Sequence, residues 1–101
     1  MAVYLLSYDV PDKGNEDVYK DLYTFLEGQK AMQVLESVWL IPWGTESNAE
    51  ALVEAVSQHV EKESRIVACE LIADKRMKSW RNLKASDREV RDLISAHARH
   101  F

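Results

Sequence analysis

The sequence predicts a small α+β domain with the order strand, helix, strand, strand, helix, strand, followed by a basic segment that ends in a short helix. Three observations predict it. Apolar runs of strand length lie within 3–10, 32–43 and 65–72. Two stretches with helical apolar spacing separate them, each opened by capping residues. The charge changes sign after Asp74. A βαββαβ order within about 72 residues is that of the ferredoxin-like fold, an antiparallel sheet with both helices on one face.

Residues 3–10 are β-branched, aromatic and aliphatic, and Pro11 closes them, which predicts a strand buried on both faces. Residues 11–15 carry turn chemistry. Asn15 is placed to cap the next helix, and Glu16 and Asp17 suit its positive end. Val18, Leu22, Phe25 and Leu26 recur at helical spacing, predicting a helix over 16–28. The apolar block from Met32 to Trp43 is too long for one flat strand and is broken at Glu36-Ser37, so it reads as a hairpin turning there. Pro42 argues for an edge position near its end. Ser47 and Glu50 have capping-box spacing, and Leu52, Ala55, Val56, His59 and Val60 form the apolar face of a second helix. The last strong strand covers 65–72. Beyond Asp74, Ser86 and Glu89 make another capping box, ahead of Val90, Leu93, Ile94 and His97 on a short amphipathic helix. The division expected is a domain over 1–74 and a basic extension over 75–101.

With both predicted helices on one face, the other face of the sheet is expected to be bare. Tyr4, Tyr8, Trp39 and Trp43 are the spare apolar residues assigned to it. Such a face implies a partner, most simply a second copy.

No apolar run approaches the roughly 20 residues that span a bilayer. The first residues lack a basic stretch and reach an acid at Asp9, so neither a signal peptide nor a membrane partner is expected. Cys69 is the single cysteine, which points to a reducing cytoplasm and excludes zinc sites built on several cysteines. Residues 1–74 carry 5 Lys/Arg against 14 Asp/Glu, whereas residues 75–101 carry 8 against 3. A basic tail on an acidic body suggests either a nucleic-acid contact, through Lys75, Arg76, Lys78, Arg81 and Lys84, or docking of the tail on the protein's own acidic surface.

Asp9 is the residue with most chemical promise. A carboxylate at the end of an apolar strand needs a sheet edge, a partner or a metal, or else caps the loop that follows. Ser37, at the hairpin bend, is of a type that ordinarily satisfies backbone groups. The histidines at 59, 97 and 100 make no ligand set, and no phosphate-binding glycine loop or nucleophile elbow is present.

Ser7-Tyr8-Asp9-Val10 on the first strand and Glu36-Ser37-Val38-Trp39 at the hairpin resemble the CRISPR-associated protein 2 family. The chain is at least as similar to the SinR-like and virulence-associated protein D relatives in that superfamily; many SinR-like members share the Ser-x-Trp step seen at Ser37-Val38-Trp39. The resemblance covers about residues 3–72 and implies a homodimer in which Asp9 from each chain shares a magnesium ion and cuts phosphodiesters of RNA or DNA in antiviral defence. Tyr8 would then orient a phosphate, and Ser37 would hold the carboxylate or a metal-bound water. It equally implies a scaffold that holds nucleic acid beside an integrase-type protein partner. The SinR-like and virulence-associated relatives imply a regulatory or toxin–antitoxin dimer instead. One departure is physical: active relatives usually carry basic residues after the Asp, whereas residues 11–17 are net acidic and repel a phosphate backbone.

Overall fold

The computed structural model describes residues 2–10, 16–44, 48–74 and 78–100, and the side chains of 16–18 are not described. Strand β1 (Ala2–Asp9) leads to helix α1 (Glu16–Gly28), the hairpin β2 (Met32–Leu35) and β3 (Val38–Trp43), helix α2 (Ala49–Ser57), strand β4 (Arg65–Leu71) and helix α3 (Asp87–His97). The strands form one sheet in the order β2-β3-β1-β4, and every neighbouring pair is antiparallel. This four-stranded α+β arrangement is compatible with the ferredoxin-like class. No described helix is long and apolar enough to cross a membrane.

β1 is central because it is apolar on both faces. Its even residues Tyr4, Leu6 and Tyr8 join Leu22 and Leu26 of α1, Trp39 and Ile41 of β3, and Leu52 and Val56 of α2 in one core. Its odd residue Val3, with Leu5 beside it, joins Val34, Leu40, Val90, Ile94 and Ala98 in a second core under α3. Burying side chains the size of Val90 and Ile94 contributes about 1.5–3 kcal/mol each before ordering costs.

The second core corrects the expectation of a bare sheet face. Tyr4, Tyr8 and Trp39 belong to the α1–α2 core, and Trp43 packs against it. The opposite face is covered over much of its area by α3 and by the segment that carries Trp80 and Leu83. The physical reason is parity. Residues 4, 6 and 8 point the same way, so Tyr4 and Tyr8 follow Leu6 toward the helices. The 75–101 extension is therefore no appendage, because its helix forms the third layer.

Local chemistry explains the element ends. The N-cap of α2 is Asn48, whose side chain accepts from the Ala51 amide at 2.8 Å, in place of the expected Ser47, which lies outside the described residues. The expected Asn15 cap also falls outside them. At α3 the expected Ser86–Glu89 pair is present: the Ser86 hydroxyl accepts from the Glu89 amide at 3.1 Å and donates to its carboxylate at 2.9 Å. Pro42 lies on an internal strand, yet the β2 register stops at Met32 opposite Leu40. Pro42 is thus past the reach of β2 and leaves no gap in that ladder.

α1 ends in a Schellman turn. The Ala31 amide donates to the Leu26 carbonyl and the Lys30 amide to the Glu27 carbonyl, both at 3.0 Å, with Lys30 at φ 62. The left-handed conformation costs a side-chain-bearing residue about 1–2 kcal/mol. Glycine avoids that penalty but loses more entropy on folding, about 0.5–1 kcal/mol. Lys30→Gly is therefore expected to stabilise the protein by about 0.5–1 kcal/mol, read as a higher urea midpoint with an unchanged slope.

Candidate functional site

Asp9 is the last residue of β1 and pairs in register with Arg65, the first of β4. Its carboxylate is half exposed and lies 3.8 Å from the Arg65 guanidinium. Two residues earlier, Ser7 faces the same side and sits between Val38 of β3 and Val67 of β4. Leu35 of β2 pairs with Val38 in turn. Leu35, Val38, Ser7 and Val67 thus make one row across all four strands. The core under α3 takes in Val34 and Leu40 and reaches Val38 at its margin, but it does not include Leu35 or Val67. Leu35 at 47% and Val67 at 61% are the large apolar side chains most exposed among the described residues. Cys69 is exposed two residues beyond Val67.

Tyr8 does not join Asp9. Its side chain turns to the other face and is 5% exposed. The Trp39 indole N–H donates to its hydroxyl at 3.2 Å, and Tyr19 and Tyr23 continue the aromatic cluster. Burial, reinforced by a hydrogen bond with Tyr23, pushes its phenol far above the ordinary range. A phosphate cannot reach that hydroxyl without opening the core, so the structure removes Tyr8 from the set. Ser37 is close by a different route. Its carbonyl accepts the Tyr8 amide at 3.2 Å, which pins the hairpin turn beside the end of β1.

Asp9 alone does not fit a magnesium site. One chain supplies a single carboxylate with a cation 3.8 Å away, and among the described residues no group of three or more His, Cys, Asp or Glu gathers. Magnesium takes six oxygens in a strict octahedron.

The basic segment is largely occupied at home. Lys75 and Arg76 lie outside the described residues. The Lys78 ammonium donates to the carbonyls of Ile72 and Asp74, both at 2.8 Å. Lys84 lies 3.7 Å from Glu36, and its amide holds the Val34 carbonyl at 2.9 Å. Arg81 is exposed. Arg88 and Arg91 pair with Asp92 and Asp87 one turn away. Arg99 forks onto Glu70, with Nε–H donating to Oε2 at 2.6 Å, and its carbonyl accepts the Ala73 amide at 2.9 Å. The tail therefore docks on its own acidic body.

Sequence reasoning missed two features. Arg65 as the partner of Asp9 follows from the antiparallel register of β1 with β4, which residue spacing alone does not supply. The cleft between α3 and the chain after β4 also went unseen. Its signal was available in the i, i+4, i+8 run Asp87, Arg91, Ser95 on one helix face near Trp80. No family model, curated protein or solved structure matches the chain.

The Arg99 hydrogen bonds hold the Glu70 carboxyl below its ordinary value of 4.5. Arg91, and then Trp80, do the same for Asp87. A lowered carboxylate contributes stability that is present above its unfolded value and is lost as pH falls through the folded one. Docking of the C-terminal arm is expected to hold at neutral pH and to weaken below about pH 4.5. Hydrogen exchange at the Ala73 amide should accelerate there beyond the intrinsic rate, and Glu70→Gln should flatten that dependence.

Proposed function

We propose that the protein is a symmetric dimer of the CRISPR-associated protein 2 and SinR-like kind, joined across the open end of its sheet, with the two Asp9 carboxylates forming a divalent-metal site for nucleic-acid phosphodiesters. The element and strand orders support placing it in the ferredoxin-like class. The observation that carries the proposal is the row Leu35–Val38–Ser7–Val67, whose Leu35 and Val67 are exposed and whose Ser7–Val67 pair lies two residue pairs from Asp9–Arg65. Apolar side chains in such a row are removed from water by a copy of the same row, and a two-fold axis there doubles every residue beside it. Two carboxylates offer the anionic oxygens that one chain lacks. Magnesium held there would supply charge neutralisation for a phosphate and an activated water. Within the chain, Ser7 faces the same side as Asp9, and the hairpin bonded through the Ser37 carbonyl fixes the neighbouring wall. The exposed single Cys69 supports a cytoplasmic setting.

A second reading keeps the dimer without the catalysis, in a regulatory or toxin–antitoxin role. The Asp9–Arg65 pair favours it, because a guanidinium already answers the carboxylate. Internal pairing of Lys78 and Lys84 weakens the version in which the basic segment, with Arg81, holds nucleic acid for an integrase-type partner.

Two measurements decide. Light scattering at tens of micromolar is expected to give the dimer mass for the wild type and the monomer mass for Val67→Glu, with unchanged circular dichroism because Val67 is exposed in the single chain. A monomeric wild type overturns both readings. Magnesium-dependent cleavage of single- and double-stranded RNA and DNA is expected for the wild type. Asp9→Asn should reduce it by about 10²-fold or more while the dimer persists, since the amide keeps the shape and loses the charge. A wild-type dimer that cuts no substrate selects the second reading.

A further inference from the structure

At the opposite end of the sheet from Asp9, a cleft of about 540 Å³ opens between α3 and the chain that follows β4. The volume falls in the range of roughly 300–1,000 Å³ typical of small-molecule sites. Its wall is organised by Asp87. One carboxylate oxygen accepts the Trp80 indole N–H at 2.8 Å, and the other accepts Arg91 Nε–H at 2.6 Å. Both oxygens are thus engaged, and the guanidinium is held 5.4 Å over the Trp80 ring. The two terminal amino groups of Arg91 have no partner among the described residues, and they belong to a side chain that lines the cleft.

Lys78 enters from the other wall. Two of its three ammonium protons go to the carbonyls of Ile72 and Asp74. The tether fixes the charge at the cleft and leaves one proton to donate. Ser79, Ser95 and His100 are the other polar residues of the described lining. Among the described lining residues, two permanent cations therefore face one carboxylate whose oxygens are already used. That lining is net positive in a chain whose net charge is −4.

We propose that this cleft binds a phosphomonoester. A guanidinium fork, a point ammonium and two hydroxyls offer more donors than a carboxylate can accept, and they match the three terminal oxygens of a phosphate. The space far exceeds a bare phosphate, and Ile94 and the Trp80 indole give it an apolar side for the organic group. The same chemistry is presented by a free mononucleotide and by the phosphorylated end of a nucleic-acid strand. The site does not depend on Asp9 or on dimer formation.

The test follows the Trp80 indole N–H resonance during titration of the full chain with inorganic phosphate, adenosine 5′-monophosphate, adenosine and a 5′-phosphorylated oligonucleotide. Phosphate and the mononucleotide should both shift it with saturation below about 10 mM, and adenosine should not. Arg91→Gln keeps a good helix former at an exposed position and is expected to weaken mononucleotide binding at least tenfold. Lys78→Gln should do the same. Should Lys78→Gln loosen the loop, Arg91→Gln with an unchanged melting temperature still decides. An oligonucleotide that binds tenfold tighter than the mononucleotide identifies a strand end as the ligand, and equal or weaker binding identifies the free nucleotide. No shift at about 10 mM, adenosine binding as well as its monophosphate, or Arg91→Gln binding like the wild type each overturns the site.

Discussion

β1 is hydrogen-bonded on both edges and covered on both faces over most of its length, so its apolar residues have to serve two cores at once. Everything else is arranged around that demand. Tyr4, Leu6 and Tyr8 need α1 and α2 above them, while Val3 and Leu5 need cover from the other side. The sheet cannot supply that cover and neither can the first two helices. It comes from the last quarter of the chain, whose Val90 and Ile94 are the buried residues of a largely polar helix. A tail that looks by charge like a nucleic-acid arm is held first by the apolar face of its own sheet.

The electrostatics of the tail follow from that docking. Once α3 lies on the sheet, its flanking segments pass beside the acidic body. Lys84 meets Glu36, and Arg99 reaches Glu70 past the end of β4. Exposed pairs of this kind contribute about 0–1 kcal/mol each, so they select the path of the chain more than they hold it. The Arg99 fork is the strongest of them in geometry, with two parallel hydrogen bonds and a Glu70 side chain only 17% exposed. It ties the last turn of the fold to β4 and thereby shapes the floor of the cleft beside Ala73 and His100.

Most elements were legible because their signals are local. Helical spacing at Leu22, Phe25 and Leu26, the break at Glu36-Ser37, and the Ser86–Glu89 box each depend on neighbours within one turn. The face on which a side chain lies is not local in this way. In a run as apolar as residues 3–6, parity is visible but the covered face is not, so the sequence places Tyr8 on the open side although it shares parity with Leu6. The same limit hid the partner of Asp9. Position 9 shows that the carboxylate ends the strand, but only the register with β4 brings Arg65 opposite it. Pro42 is the intermediate case: its missing donor predicts an edge position, whereas β3 is internal and tolerates Pro42 because its pairing with β2 stops at Leu40.

Arg65 also bears on how two acidic corners can meet. Bringing Asp9 of one copy toward Asp9 of another sets like charges together, which opposes association. Each copy carries Arg65 at 3.8 Å from its own Asp9, and that guanidinium offsets part of the repulsion. The pair is largely exposed and contributes at most about 1 kcal/mol, so a stronger ligand for the carboxylate can displace the guanidinium at little expense. In the proposed dimer a divalent cation held by the two Asp9 carboxylates would be such a ligand, and would leave the Arg65 guanidinium beside the site to meet a phosphate. In that proposed dimer the arrangement would let one residue serve assembly in the absence of metal and phosphate contact in its presence. What remains apolar beside it, Leu35 and Val67, gains from burial whichever partner the carboxylate holds.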